Sequence, residues 1–194
     1  ASTVGLQAAS IVFKNGSTLE LADIGSKPVT KSDNFTFADS TLRFNPGKAT
    51  RNAPIIQVKN APVMTGKNAM DFTAVPNGTF TILTAALPEK ESLDKSKTID
   101  TFGNRVTVNG QEIKDGGRVK WSGLEIADNG KSIVASATVT NEARTWDGKG
   151  WKEGDKTIVM GDRLIFDDNA SAKTVELPDN FTASDAGIGL LYTS

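Results

Sequence analysis

Asp39-Ser40-Thr41-Leu42-Arg43-Phe44 places an apolar side chain at every second position behind a small polar turn, as in a strand with one face on a core and the other in water. Asn77-Gly78-Thr79-Phe80-Thr81-Ile82-Leu83-Thr84-Ala85 repeats the arrangement behind an Asn-Gly turn. Working outward, runs rich in Val, Ile, Phe and Thr cover 10–13, 17–21, 34–37, 54–59 and 70–73, then 105–108, 118–121, 124–127, 132–139, 157–159, 163–166, 174–177 and 188–192. Turn signals separate them, among them Asn15-Gly16, Asn45-Pro46-Gly47, Pro76-Asn77-Gly78 and Asp128-Asn129-Gly130. The pattern predicts an all-β chain of half-buried strands. Asn15-Gly16 and Asp128-Asn129-Gly130 are expected at hairpins or at sharp corners of a solenoid, because their residues tolerate positive φ. Pro88 to Lys97 (PEKESLDKSK) reads either as a short helix, from its proline start and acidic first turn, or as a charged loop, since Leu93 is its one apolar residue.

The 194 residues suffice for one ordinary domain or two small ones with a sizeable core, and 38% hydrophobic residues with 18 glycines fit a turn-rich globular chain. Lys and Arg total 22 against 23 Asp and Glu, a net charge of −1, so there is no basic field to collect nucleic acid. The chain has no His and no Cys. That removes His-dependent triads, Cys nucleophiles, disulfides and the nitrogen or sulfur sites of zinc and iron. No run approaches the 18 apolar residues of a membrane-spanning helix, so no membrane insertion by this segment is expected.

Gly130-Lys131-Ser132 has the end of a phosphate-binding loop, but Glu125 stands where its first glycine belongs, and a surface turn is the better reading. Asp162, Asp167, Asp168 and Asn169 offer oxygen ligands of the kind calcium takes, yet without an EF-hand pattern they read as a polar turn after a strand. Paired carboxylates could act on a glycosidic bond, although sequence spacing does not measure the distance between them. Trp121 sits in an alternating strand and is expected to pack. Trp146 and Trp151, in Thr145-Trp146-Asp147-Gly148-Lys149-Gly150-Trp151, lie in a glycine-rich stretch suited to exposing a ring.

Gly123-Leu124-Glu125-Ile126, Asp128 to Val134 (DNGKSIV) and Ala137-Thr138-Val139, followed by Ala143 to Gly148 (ARTWDG), resemble a seam between β-solenoid units in bacterial autotransporter passengers. Trp151, Gly161-Asp162, the run Arg163-Leu164-Ile165-Phe166, a polar turn and Thr174-Val175-Glu176-Leu177 then look like the passenger-associated β-strand repeat. Upstream, Asp39 to Phe44 and Asn77 to Ala85 are similar to the closing rungs of such a unit, so the likeness touches most of 39–190. The charged stretch Glu89 to Lys97 and the short gap between Trp146 and Trp151 depart from that pattern.

The resemblance implies a β-solenoid, parallel β-helix-like with hairpin additions; the alternative is an antiparallel β-sandwich, which needs the same period. Residues 1–140 are expected to form a β-rich unit like the closing part of a passenger solenoid, and 141–194 the start of a following β-repeat unit. The implied role is non-catalytic, structural or adhesive, in a secreted or bacterial cell-surface protein that meets a host surface protein or glycan. A glycan-active enzyme using paired carboxylates and a phage fibre or decoration module are the alternatives. No cofactor and no metal is expected. The candidate ligand-binding residues are Trp146 and Trp151, for their contact area, with Asp147, Lys149 and Lys152 as hydrogen-bonding neighbours.

Overall fold

The computed structural model describes residues 6–21, 30–45, 51–73, 77–108, 110–113, 119–150, 152 and 162–166. The chain is all-β, and its described residues include no α-helix. It divides into two compact units, Ala1–Thr138 and Val139–Ser194.

The first unit holds two mixed sheets. One has the order β1 (Leu6–Phe13), β3 (Thr30–Ala38), β5 (Ile56–Val58), β8 (Gly78–Ala85), β12 (Ser132–Val139) and β11 (Val119–Ala127), with β6 (Val63–Thr65) also paired to β3. The other has the order β10 (Gln111–Glu112), β9 (Val106–Val108), β7 (Ala69–Phe72), β4 (Thr41–Phe44) and β2 (Thr18–Leu21). Most pairing is parallel and joins strands of consecutive segments. Leu6 faces Thr30, Thr30 faces Ile56 and Ile56 faces Leu83 in the first sheet. Thr18 faces Thr41, and Thr41 faces Ala69, in the second.

Because the register repeats, equivalent side chains stack. Leu19, Leu42, Met70 and Val106 form one buried row, and Leu21, Phe44, Phe72 and Val108 the next. Phe44 and Phe72 meet edge to face at 5.1 Å, and both meet Phe80 of the other sheet, at 6.0 and 5.8 Å. Phe35 and Phe37 stack at 5.9 Å, with Phe102 tilted against Phe37 at 6.4 Å. A gap of about 10 Å³, barely one water, lies among Phe35, Phe37, Leu42, Met70 and Phe102.

Asn15-Gly16 proves to be a corner, carrying the chain from β1 in one sheet to β2 in the other, with φ of 58° and 77°. Later corners stack on it: Gly16 N–H donates to Asp39 O at 2.7 Å, and Lys67 N–H to Asp39 Oδ1 at 2.8 Å. Gly66 has a φ of 72°, and a Cβ there would sit 2.2 Å from Asp39 Oδ1, so the corner requires glycine. Buried Asn68 ties three segments together. Its Oδ1 accepts from Ser40 N–H, and its Nδ2 donates to Phe37 O and Thr101 Oγ1.

Asp128-Asn129-Gly130, by contrast, is a hairpin turn between neighbours β11 and β12, and β12 runs antiparallel to β8. The stretch 88–97 forms a loop ending in a 3-10 turn, Lys95–Lys97, with Leu93 buried beneath it. Runs 118–121 and 124–127, separate in the sequence pattern, form the single strand β11. Half-burial holds for β2 and β4 and fails for β8 and β12, whose successive residues Phe80 to Leu83 and Ser132 to Ala135 are all buried. The outward side chains there are covered: Thr81 Oγ1 donates to Arg51 O at 2.6 Å, and the Ser132 and Thr84 hydroxyls lie 3.0 Å apart.

In the second unit, β13 (Ala143–Trp146) pairs in parallel with β14 (Arg163–Phe166). The runs expected at 157–159, 174–177 and 188–192 lie outside the described residues.

Phe44→Ala should cost about 3–5 kcal/mol in urea unfolding, since a fully buried ring is lost from the center of the stack. Val12→Ala, on an exposed edge-strand position, should stay within about 0.5 kcal/mol.

Candidate functional site

Four of the five candidate site residues fall on one described turn of the second unit, and Trp151 lies outside the described residues. Trp146 ends strand β13, half-buried and opposite Phe166, so its ring leaves an extended strand and not the glycine-rich loop. Asp147 then closes the turn on itself. Its Oδ1 accepts from the backbone N–H groups of Lys149 at 2.8 Å and Gly150 at 3.0 Å, and its own N–H donates to Gly150 O. Those two donors, Lys149 first, hold the Asp147 carboxyl below the usual carboxylate range. Lys152 N–H returns to Thr145 O at 2.9 Å. The Lys149 and Lys152 side chains are exposed beside the turn.

Beneath it, Arg144 is buried, with Nη1 3.7 Å from Glu142 Oε2 and no hydrogen-bond partner at Nε or Nη2 among the described residues. Asp162, weighed above as a calcium ligand, is buried and accepts from Glu142 N–H at 2.9 Å, which joins the starts of β13 and β14. Asp167, Asp168 and Asn169 lie outside the described residues. Among the described residues no three Asp or Glu side chains converge as a metal site would require.

Several carboxylates of the first unit hold the fold. Asp71 accepts from Arg43 Nη1 at 3.0 Å, Thr107 Oγ1 at 2.7 Å and Gly110 N–H at 2.8 Å. In register, Glu20, Arg43, Asp71 and Thr107 form an outward row beside the apolar ones. Asp128 takes a two-point contact from Arg51, at 2.6 and 2.9 Å. Asp94 accepts from the Ser96 hydroxyl and N–H, which lower its pKa. Lys131, in the turn that partly matched a phosphate loop, donates instead to the carbonyls of Pro88, Glu89 and Glu91.

One concavity of the first unit has another character. A groove of about 560 Å³ is lined by Lys95, Asp100, Asn104, Glu112, Trp121 and Leu124, among others. Trp121 meets Phe72 in a T-shaped contact at 5.8 Å, as expected of a packing residue, and also borders this groove. A glycine interrupting a strand pattern, Trp121-Ser122-Gly123-Leu124, was the sequence signal for it. No protein-family model, curated protein or solved structure matches the chain.

The Arg51 guanidinium, then the Ser132 hydroxyl, hold Asp128 below the usual carboxylate range. A lowered native pKa means the contribution is present above the ordinary carboxylate range and lost as pH falls through the lowered value. The pair is about half exposed, so Asp128→Asn should cost only about 0.5–1 kcal/mol near neutral pH. Asn keeps the positive-φ tolerance of this position, and urea titrations in strong acid should show the wild-type and variant stabilities converging.

Proposed function

We propose that the chain is a non-catalytic β-solenoid segment of a secreted or surface-displayed bacterial protein, structural or adhesive, that meets a host protein or glycan surface. Residues 1–140 coil as the closing part of a passenger-type solenoid, and 141–194 open a following β-repeat unit. The observation that carries this reading is the stacking of like on like: Leu19, Leu42, Met70 and Val106 follow one another in parallel register, with Glu20, Arg43 and Asp71 beside them. A repeating coil generates such rows automatically, because each strand lies on its equivalent one turn later. The β9–β10 hairpin and the β11–β12 hairpin, the latter joined to β8 by the antiparallel β12, then act as the hairpin additions that end the stack. A non-catalytic role is supported by the use of Asp71, Asp94, Asp128, Asp147 and Asp162 as structural acceptors. The turn from Trp146 to Lys152 is the proposed contact surface.

A chain without cysteine allows a direct test of the coil. Lys31 and Gln57 are exposed and directly opposed on β3 and β5, within the reach of a disulfide. The Lys31→Cys, Gln57→Cys double variant should oxidise to an intramolecular disulfide without loss of strand content. The Lys31→Cys, Ile56→Cys pair, whose side chains point to opposite faces, should not; the reverse result, or two face-packed antiparallel sheets with Greek-key links in a crystal structure, overturns the coil.

For the contact surface, Trp146→Ala and Trp151→Ala should lower glycan-array or host-cell binding about tenfold or more with a retained melting temperature. A lower melting temperature with unchanged binding would assign the two rings to packing. Release of reducing ends or unsaturated products from a polysaccharide panel, abolished by a single Asp→Asn change, would make the protein an enzyme.

A further inference from the structure

The geometry points to a carbohydrate site in the first unit: the Trp121 groove, we propose, receives a pyranose ring of a neutral glycan. The inference goes beyond the reading above, since it holds whether or not the Trp146 turn binds anything.

Three observations carry it. First, the groove's polar side chains are uncommitted. Lys95, Asp100, Asn104 and Glu112 are exposed, and none makes a side-chain hydrogen bond or ion pair with another described residue, in contrast to the engaged Asp71, Asp94, Asp128 and Lys131. They offer acceptors, an amide and an ammonium, the set that hydroxyl groups use as both donors and acceptors.

Second, the apolar wall depends on a break in the strand. Trp121 and Leu124 are three residues apart, so a regular strand would send them to opposite faces. Gly123 between them has a φ of 91°, and the alternation shifts there: Trp121, Leu124 and Ile126 all pack against the core side, while Lys120, Ser122 and Glu125 are exposed. A Cβ on Gly123 would meet nothing within 4 Å, so this lining position is left open by the missing side chain. A glycine that interrupts a strand in this way lets the chain re-aim the side chains on either side of it.

Third, size and charge select the ligand. About 560 Å³ lies within the usual range for small-ligand sites. An indole bordering the groove, with uncommitted hydrogen-bonding groups around it, suits a flat ring with an apolar C–H face and a polar rim. Among the described lining residues Asp100 and Glu112 outnumber Lys95, a balance that favours a neutral sugar over an anionic one.

The test uses the intact chain with maltotriose, cellotriose, chitotriose and lactose as probes and an oligogalacturonate as the charged control, followed by calorimetry and saturation-transfer NMR. At least one neutral probe should bind saturably, and Trp121→Phe should weaken it about tenfold. The double variant Asp100→Asn, Glu112→Gln changes only exposed, unpaired groups; it should weaken binding about fivefold or more at an unchanged melting temperature, and it decides the matter if Trp121→Phe unfolds. Trp146→Ala should leave this binding intact, which separates its failure from that of the proposed contact turn. Absence of saturable binding by any neutral probe, preference for the oligogalacturonate, or wild-type affinity in the double variant overturns the site.

Discussion

Parallel hydrogen bonding between strands of consecutive segments is the constraint on which the rest of the first unit depends. Once Thr41 is paired with Ala69, the register also sets Leu42 on Met70, Arg43 on Asp71 and Phe44 on Phe72. The inward members stack into apolar rows, and the outward members must then be compatible as neighbours. Arg43 between Glu20 and Asp71 satisfies that condition, with its guanidinium 3.9 Å from one carboxylate and 3.0 Å from the other. A slip of one residue would send Phe44 and Phe72 outward and the charges into the core, so the pattern resists it strongly.

The corners make this register repeatable. Each has a residue at positive φ (Asn15 with Gly16, Asp39, Gly66 and Gly103), and each passes a backbone or side-chain hydrogen bond to a neighboring segment. Asn68 is the densest of these joints, because one amide answers Ser40, Phe37 and Thr101 together. A buried amide with its bonds met adds specificity to a core that apolar contacts alone would leave free to slide. Arg105 extends the joint, donating to Asn68 O and Thr101 O at 2.9 and 2.6 Å.

Departure from the repeat is concentrated in residues 86–131. There the loop held by Lys131, the 3-10 turns Lys95–Lys97 and Ile99–Thr101, and the irregular strand β11 replace the regular corner and strand. A stacked core leaves little internal space, so a hollow of useful size forms where regularity is given up. The Trp121 groove lies in that stretch. Asp71 is tied to Arg43, Thr107 and Gly110, whereas the Asp100 and Glu112 carboxylates beside the groove hold no other described residue.

The sequence by itself determined the all-β class and most strand positions: Thr41–Phe44, Ser132–Val139 and Arg163–Phe166 follow from two-residue alternation and β-branched content, both local properties. Short strands such as Val63–Thr65 and Gln111–Glu112 escaped it, since two or three residues carry too little period to read, and Ala143–Trp146 escaped it because it carries no alternating apolar residues. Of the candidate contact turn, the glycine-rich stretch was legible, while the use of the Asp147 carboxylate to close the turn and the burial of Arg144 and Asp162 were not. Tertiary structure alone decided that Asn15-Gly16 turns a corner and Asp128-Asn129-Gly130 a hairpin, because both need the same positive φ and differ only in which strands they join. It also decided the burial of both faces of β8, and the meeting of Lys95, Asp100, Glu112 and Trp121 around one groove. Pairing partners are chosen by the summed burial of whole rows, a quantity that no single stretch of sequence contains.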